Sequence, residues 1–224
     1  MTTTRHIDDL LNELHALLLE MSDRVDEQLS GAINALVARD AELAQVIVRR
    51  DDIIDELEMK VDEQCERILA LHQPVAIDLR MIIFAVKINV DLERIGDLSK
   101  NVAKAAPVIF KAPGLLDAVH IQEMADESRD MLRLVHESFV SRDRLLARKV
   151  LARDRHVDRI YDENTAALLE YGRSHPEHLD SVAKMIITNR GLERISDHAK
   201  NIAESVVFLI EGLDIRHRRD PVSR

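Results

Sequence analysis

The sequence predicts an all-α fold: six long helices forming two tandem three-helix bundles. Three observations lead there. Aromatic residues make up 3% of the chain, with no Trp, six Gly and five Pro, while Leu, Ile, Val, Ala, Glu, Asp and Arg fill most positions, a mixture that favours helix over sheet. Apolar residues recur at helical spacing along almost the whole length. The second half repeats the first.

The first predicted helix runs from about Ile7 to Val37, with Leu10, Leu14, Leu17, Met21, Val25, Leu29 and Leu36 as its apolar stripe. Arg39-Asp40 marks a turn. The second helix carries Leu43, Ile47, Ile54, Leu57, Val61, Ile68 and Leu71 and stops near Gln73-Pro74. The third starts close to Pro74, where a first-turn proline is tolerated, and fades by Pro107 or Pro113-Gly114. The fourth (about Leu115 to Val140), fifth (about Arg144 to Tyr171) and sixth (about Pro176 to Leu213) repeat this plan. Gly31, Pro74, Pro113, Gly172 and Pro176 cut the pattern into bundle-length pieces and argue against a continuous coiled coil.

Met21 matches Met124, Arg39-Asp40 matches Arg142-Asp143, and Asp51 and Asp55 match Asp154 and Asp158, all at a displacement of 103. Leu92-Glu93-Arg94-Ile95-Gly96-Asp97 recurs 100 residues later as Leu192-Glu193-Arg194-Ile195-Ser196-Asp197, followed in both copies by Lys-Asn, at Lys100-Asn101 and Lys200-Asn201. The expected division is residues 1–112 and 113–224, each half three antiparallel helices joined by short turns.

A formal net charge of −10 argues against nucleic acid or anionic lipid as the main partner and is compatible with cations. Cys65 is the one cysteine, expected as a small buried apolar residue, and a Cys-based zinc site is excluded. No apolar stretch approaches the ~20 residues of a membrane span. The start of the chain reads as no signal peptide, so a cytoplasmic location is expected, peripheral to the inner membrane at most, through partners.

In each repeated phrase a Glu and an Asp stand four residues apart on one helical face, an arrangement that opposes helix formation by roughly 0.2–0.5 kcal/mol. If the second and third helices turn at Pro74, Asp55 and Glu93 are equidistant from the turn, as are Asp51 and Asp97, so the pairs meet at one height. Asp158 with Glu193, and Asp154 with Asp197, repeat the relation about Pro176. Four carboxylates at one level repel, and protonation, an Arg or Lys, or a metal relieves this. Arg94, Arg194, Lys100 and Lys200 are expected on other faces or further along, which leaves a hard cation bound by oxygen ligands as the leading reading and a solvated acidic face as its competitor. Asn89, Asn101, Asn189 and Asn201 continue the every-fourth-residue line and are candidates to support the acids by neutral oxygen or hydrogen bonds. Gly96, costly inside a helix by roughly 1 kcal/mol, and its small counterpart Ser196 suggest close helix approach.

The ten histidines show no Glu-x-x-His spacing of a di-iron oxidase, and His198 is expected at the surface. No phosphate loop, nucleophile elbow or Ser/His/Asp order is present. Gly212 reads as a helix stop, followed by a basic run, Arg216 to Arg219, that fits a contact patch.

Gln73-Pro74 with Asp78-Leu79-Arg80, the two Leu-Glu-Arg-Ile-x-Asp phrases, Lys-Asn-(Val/Ile)-Ala, and Gly212-x-Asp214-Ile215-Arg216-His217 occur together and in order. Through these residues nearly the whole chain resembles the PhoU family of phosphate-signalling regulators. The resemblance implies two three-helix bundles related by a pseudo-twofold axis, and metal bound through the paired acids: Glu93 and Asp97 with Asp51 and Asp55, and Glu193 and Asp197 with Asp154 and Asp158. Mg, Mn, Ca, Fe and Zn all remain open as that metal. It further implies a non-catalytic, homodimeric adapter between the ATP-binding subunit of a phosphate ABC transporter and a phosphate-sensor histidine kinase, repressing the starvation response when phosphate is plentiful. One departure is local: Asp91 in the first copy is Gly191 in the second, so the two metal sites need not be equivalent. A metal-dependent helical-bundle enzyme, phosphohydrolase or oxidase, is the alternative expectation, and a metal-free scaffold the third.

Overall fold

The computed structural model describes residues 6–212. The basic run after Gly212 lies outside the described residues, as do Met1 to Arg5. Seven α-helices follow in order: α1 (His6–Val37), α2 (Ala41–Arg50), α3 (Asp52–Leu71), α4 (Ala76–Ile109), α5 (Ile121–Ser141), α6 (Arg144–Ser174) and α7 (Leu179–Glu211), with a 3₁₀ turn at Pro176–His178. Among the described residues there is no strand. α2 and α3 form one interrupted rod, because Asp51 between them keeps helical backbone angles (φ −59°, ψ −34°). The molecule is therefore six rods in two three-helix bundles, α1 to α4 and α5 to α7, in pseudo-twofold relation.

The matching Arg-Asp pairs explain two of the turns. Arg39 and Arg142 both adopt left-handed backbone angles (φ 55° and 52°), closing α1 and α5. The following Asp then caps the next helix: Asp40 accepts from the N–H groups of Glu42 and Leu43, and Asp143 from that of Leu145.

The fourth helix begins at Ile121, not near Leu115. Pro113 and the left-handed Gly114 (φ 76°) hold residues 110–120 in successive turns. Leu115 and Val119 still point into the core, so their apolar spacing imitates a helical face. At the end of this segment Asn164 accepts a hydrogen bond from the His120 N–H at 2.7 Å. α4 passes through Pro107 and ends two residues later.

Leu10, Leu14, Leu18, Met21, Val25 and Leu29 of α1 are all buried, each contributing about 1.5–3 kcal/mol of transfer free energy. The broadest contact between the bundles runs between α4 and α7, and α1 also touches α5. No helix of the described residues is long and apolar enough to cross a membrane.

Candidate functional site

Asp51 stands at the α2–α3 interruption and is 2% exposed. It accepts a hydrogen bond from Gln28 Nε2 of α1 at 3.0 Å and one from the Lys100 ammonium of α4. Lys100 Nζ also donates to Asp97 Oδ1 at 3.0 Å, so a cation of the chain itself sits between Asp51 and Asp97. Arg94 adds a second positive charge, its Nε 3.3 Å from Glu93 Oε2 and its Nη1 3.6 Å from Asp97 Oδ2. The second bundle repeats this in part: Lys200 donates to the buried Asp154, while the Arg that meets Glu193 comes from a different position, Arg190 Nη1 donating to Glu193 Oε1 at 2.7 Å.

The expected placement of the lysines on other faces is therefore corrected, and the cause is register. Lys100 with Asp51, and Asn89 with Asp62, are both centred between residues 75 and 76, not on Pro74. The link is extended at His72 (φ −135°, ψ 161°) and Val75 (φ −85°, ψ 170°), which moves the mirror point of the hairpin. That slip, together with the length of the Lys side chain, carries the ammonium to Asp51.

The asparagines are likewise used differently from the expectation. Asn89 Nδ2 donates to the Glu58 carbonyl and to Asp62, each at 3.0 Å, tying α4 to α3. Asn189 Nδ2 donates to the Tyr161 carbonyl at 3.0 Å and to Thr165 Oγ1 at 3.1 Å, while its Oδ1 accepts from Asn164. Both are fully buried and fasten the hairpins one helical turn away from the acids. Asn101 is exposed on α4, and Asn201 approaches Asp91 at 3.4 Å. Gly96 confirms the close approach: a Cβ there would lie 2.9 Å from Ile54 Cδ1.

The electrostatics record crowding of like charge. Burial, then the carboxylates of Asp51 and Asp97, outweigh Lys100 and hold Asp55 above the ordinary carboxylate range. Burial, then Asp97 and Glu58, outweigh Arg94 and raise Glu93. Asp97 moves the other way: burial opposes its charge, but the Lys100 hydrogen bond and the nearby cations carry its pKa below the usual value. In the second bundle, burial followed by Asp154 and Asp197 raises Asp158, and burial followed by Asp197 raises Glu193 against Arg190. Lys100 and Lys200 are desolvated, yet their hydrogen bonds to Asp51 and Asp154 hold both pKa values above that of a free lysine.

All eight predicted acids thus fall in two clusters, one per bundle, each across the α3–α4 or α6–α7 seam. As the side chains stand, no group of three Asp, Glu, His or Cys among the described residues is arranged to hold a metal ion. The chemistry of the donors still fits a hard cation, since each cluster is all oxygen and Glu193 Oε2 is buried without a hydrogen-bond partner. Asp51, Asp55, Glu93 and Asp97, and their counterparts, would hold it once the lysine withdraws.

Three participants escaped the sequence reading. Gln28 is a polar residue within the α1 apolar stripe, 3% exposed, and that interruption was its signal. Arg190 stands three residues before Glu193 on the same helical face. His198, expected at the surface, reaches across the bundle interface to Asp91, Nδ1 to Oδ1 2.8 Å; nothing local marks that long-range partner.

Comparison with known proteins agrees with the duplication. The PhoU domain matches residues 18–106 and, a second time, residues 121–206. The phosphate-specific transport system accessory protein PhoU homolog of Pseudomonas putida is 37% identical over 219 residues, covering 96% of this chain and 86% of that protein. The Aquifex aeolicus protein of the same name is 36% identical over 208 residues, 93% of this chain and 94% of its own. The crystal structure of PhoU from Pseudomonas aeruginosa superposes with a TM-score of 0.87 at 36% identity, covering 93% of this chain and all of that one. The phosphate transport system regulatory protein PhoU from Streptococcus pneumoniae superposes at 0.84 and 27% identity, covering 93% and 99%.

Proposed function

This chain belongs to the PhoU family, and from that premise we propose that it is a cytoplasmic regulatory accessory protein of phosphate uptake. It would act as a non-catalytic adapter, a homodimer that links the ATP-binding subunit of a phosphate transporter to a sensor histidine kinase and represses the starvation response in high phosphate. The observation that carries this reading is the family match in both halves of the chain, supported by relatives named as accessory proteins of phosphate-specific transport.

Two structural features support it. An adapter needs a docking surface, and Leu79, Ile83, Val86 and Val90 line one exposed stripe of α4, each 39–51% accessible. It also needs a means of fixing the relative placement of its helices, and the two acid clusters stand on the interhelical seams. A bound divalent or trivalent cation would supply charge neutralisation and an inner clamp between those seams. Without it, Lys100 and Lys200 do the equivalent work, each bridging its seam through a buried Asp.

Deletion of the gene is expected to leave phosphate-starvation genes expressed in high phosphate; normal repression in the deletion strain would defeat the adapter reading. Elemental analysis of purified protein tests the metal: Glu93→Ala with Asp97→Ala should lower bound metal while the helical circular dichroism is kept. Turnover of phosphate esters by metal-loaded protein would favour an enzyme instead.

A further inference from the structure

Between α4 and α7, on one side of the molecule, lies a groove of about 360 Å³ whose wall carries Lys104, Lys184, Arg190 and Arg194 and no Asp or Glu. The chain as a whole has ten more acidic than basic side chains, so an acid-free group of four cations runs against its average. Arg190 is partly committed, with Glu193 at 2.7 Å and the Tyr161 ring 5.6 Å from its guanidinium carbon. Lys104, Lys184 and Arg194 make no ion pair among the described residues. Mutual repulsion of such cations is relieved by a bound anion.

A second observation is independent of charge. Thr188 lines the groove, is 2% exposed, and its hydroxyl has no hydrogen-bond partner. A helical Thr ordinarily returns its hydroxyl to the carbonyl four residues back, as Thr165 does to Tyr161 at 2.8 Å. A buried hydroxyl left without a partner costs about 1–3 kcal/mol, and a ligand oxygen in the groove would satisfy it.

The internal repeat supplies the control. Displaced by 100 residues, the positions of Lys104, Lys184, Thr188, Arg190 and Gly191 are Glu204, Phe84, Ile88, Val90 and Asp91. On that side Asp91 is met by His198, and the buried Phe84 packs at a tilt against Phe139 with ring centroids 4.9 Å apart. The two halves have thus diverged at equivalent positions: the counterpart side mixes Asp91 and Glu204 with Lys87, Arg94 and His198, whereas this groove is lined by cations and no acid. Gly191 keeps it open, since a Cβ there would meet nothing within 4 Å.

We propose that this groove binds a small phosphate-class oxyanion, with Lys104, Lys184 and Arg194 supplying the charge and Thr188 a hydroxyl donor. The four proposed ligands belong to neither carboxylate cluster, and the groove meets the second cluster only through Arg190, which pairs with Glu193, so binding is tested apart from the first cluster's metal.

The test is calorimetric titration of the full chain with inorganic phosphate in chelator-containing, low-chloride buffer, with ADP in parallel. Saturable binding is expected, weakened at least about tenfold by Lys184→Gln with Arg194→Gln. Gly191→Asp places the opposing side's carboxylate into open space; it should weaken binding similarly with the helical spectrum and melting point retained. Glu93→Ala with Asp97→Ala should leave the affinity unchanged, which separates this site from the metal proposal. Tighter binding of ADP, lost in the same groove variants, supports the site and makes a nucleotide phosphoryl group its ligand; preference for inorganic phosphate supports it with the free anion. Absence of saturable binding of either ligand below concentrations on the order of 10 mM, or undiminished binding in Gly191→Asp, overturns the proposal.

Discussion

Replacing Glu193 by Gln should make the cation-free protein more stable. The Glu193 side chain is 12% exposed, one of its oxygens lacks a partner, and Asp197 lies one helical turn away. At the ~6 Å separation of such neighbours and an effective dielectric near 20, the repulsion is about 3 kcal/mol. Solvent-exposed pairs at this spacing cost only about 0.2–0.5 kcal/mol, and loss of the half-exposed Arg190 pair subtracts up to about 1 kcal/mol. A net gain of about 1 kcal/mol is expected at pH 7, seen as a rise of about 2–4 °C in melting temperature for a chain of this size. The pH dependence has a defined sign. The folded pKa of Glu193 is raised, so the folded state keeps its proton to higher pH than the unfolded chain. The penalty is therefore absent below the unfolded value near 4.3, grows as pH rises toward the folded value, and is complete above it. Urea unfolding followed by circular dichroism, in chelator, at pH 7 and pH 4 measures the difference. A variant less stable than wild type at pH 7, or equally more stable at pH 4, would refute this electrostatic reasoning. Added Mn²⁺ at a hundredfold excess over its Kd should stabilise wild type by about 2.7 kcal/mol and the variant by less.

Other outcomes follow from the same packing. Lys100→Met leaves Asp51, 4% exposed at its side chain, without its cation; a loss of about 3 kcal/mol is expected in chelator, with tighter Mn²⁺ binding because the competing ammonium is gone. Asn189→Leu breaks the buried hydrogen bonds to Asn164, Thr165 and the Tyr161 carbonyl and should cost about 3 kcal/mol in urea unfolding. Burial, then Arg142, lowers the pKa of His15, so its contribution to stability is present above the unfolded value near 6.5 and lost as pH falls through the window below it. His15→Phe should flatten that loss in melting temperature. Burial, then Asp62, pushes the Cys65 thiol up to about 12, and thiol reagents should modify native protein only at its unfolding rate.

Much of this architecture was legible because its causes are local. Apolar spacing sets which face of each rod is buried, and Arg39-Asp40 marks a turn, whose Asp the structure shows to cap the following helix. The segment between Phe110 and His120 departs from the expected helix for an equally physical reason: buried Leu115 and Val119 give a helical spacing that Gly114 interrupts without altering. At the acid clusters, the sequence identified the residues and the seams but not their partners. Asp51 is met by Gln28, 23 positions away, and by Lys100, 49 positions away, and neither relation has a sequence period.

The chain by itself determined the helices, their caps and the doubling of the plan, since backbone hydrogen bonding and apolar burial within one rod depend on residues a turn apart. Tertiary packing decided how far the rods slide past one another. The extended link from His72 to Val75 sets that slide in the first bundle, bringing Lys100 to Asp51 and Asn89 to Asp62. Contact between α4 and α7 then brought His198 to Asp91 on one side of the duplicated interface and left the other lined by cations around Thr188. Helical periodicity fixes a direction around an axis; displacement along it is settled only when neighbouring side chains interlock.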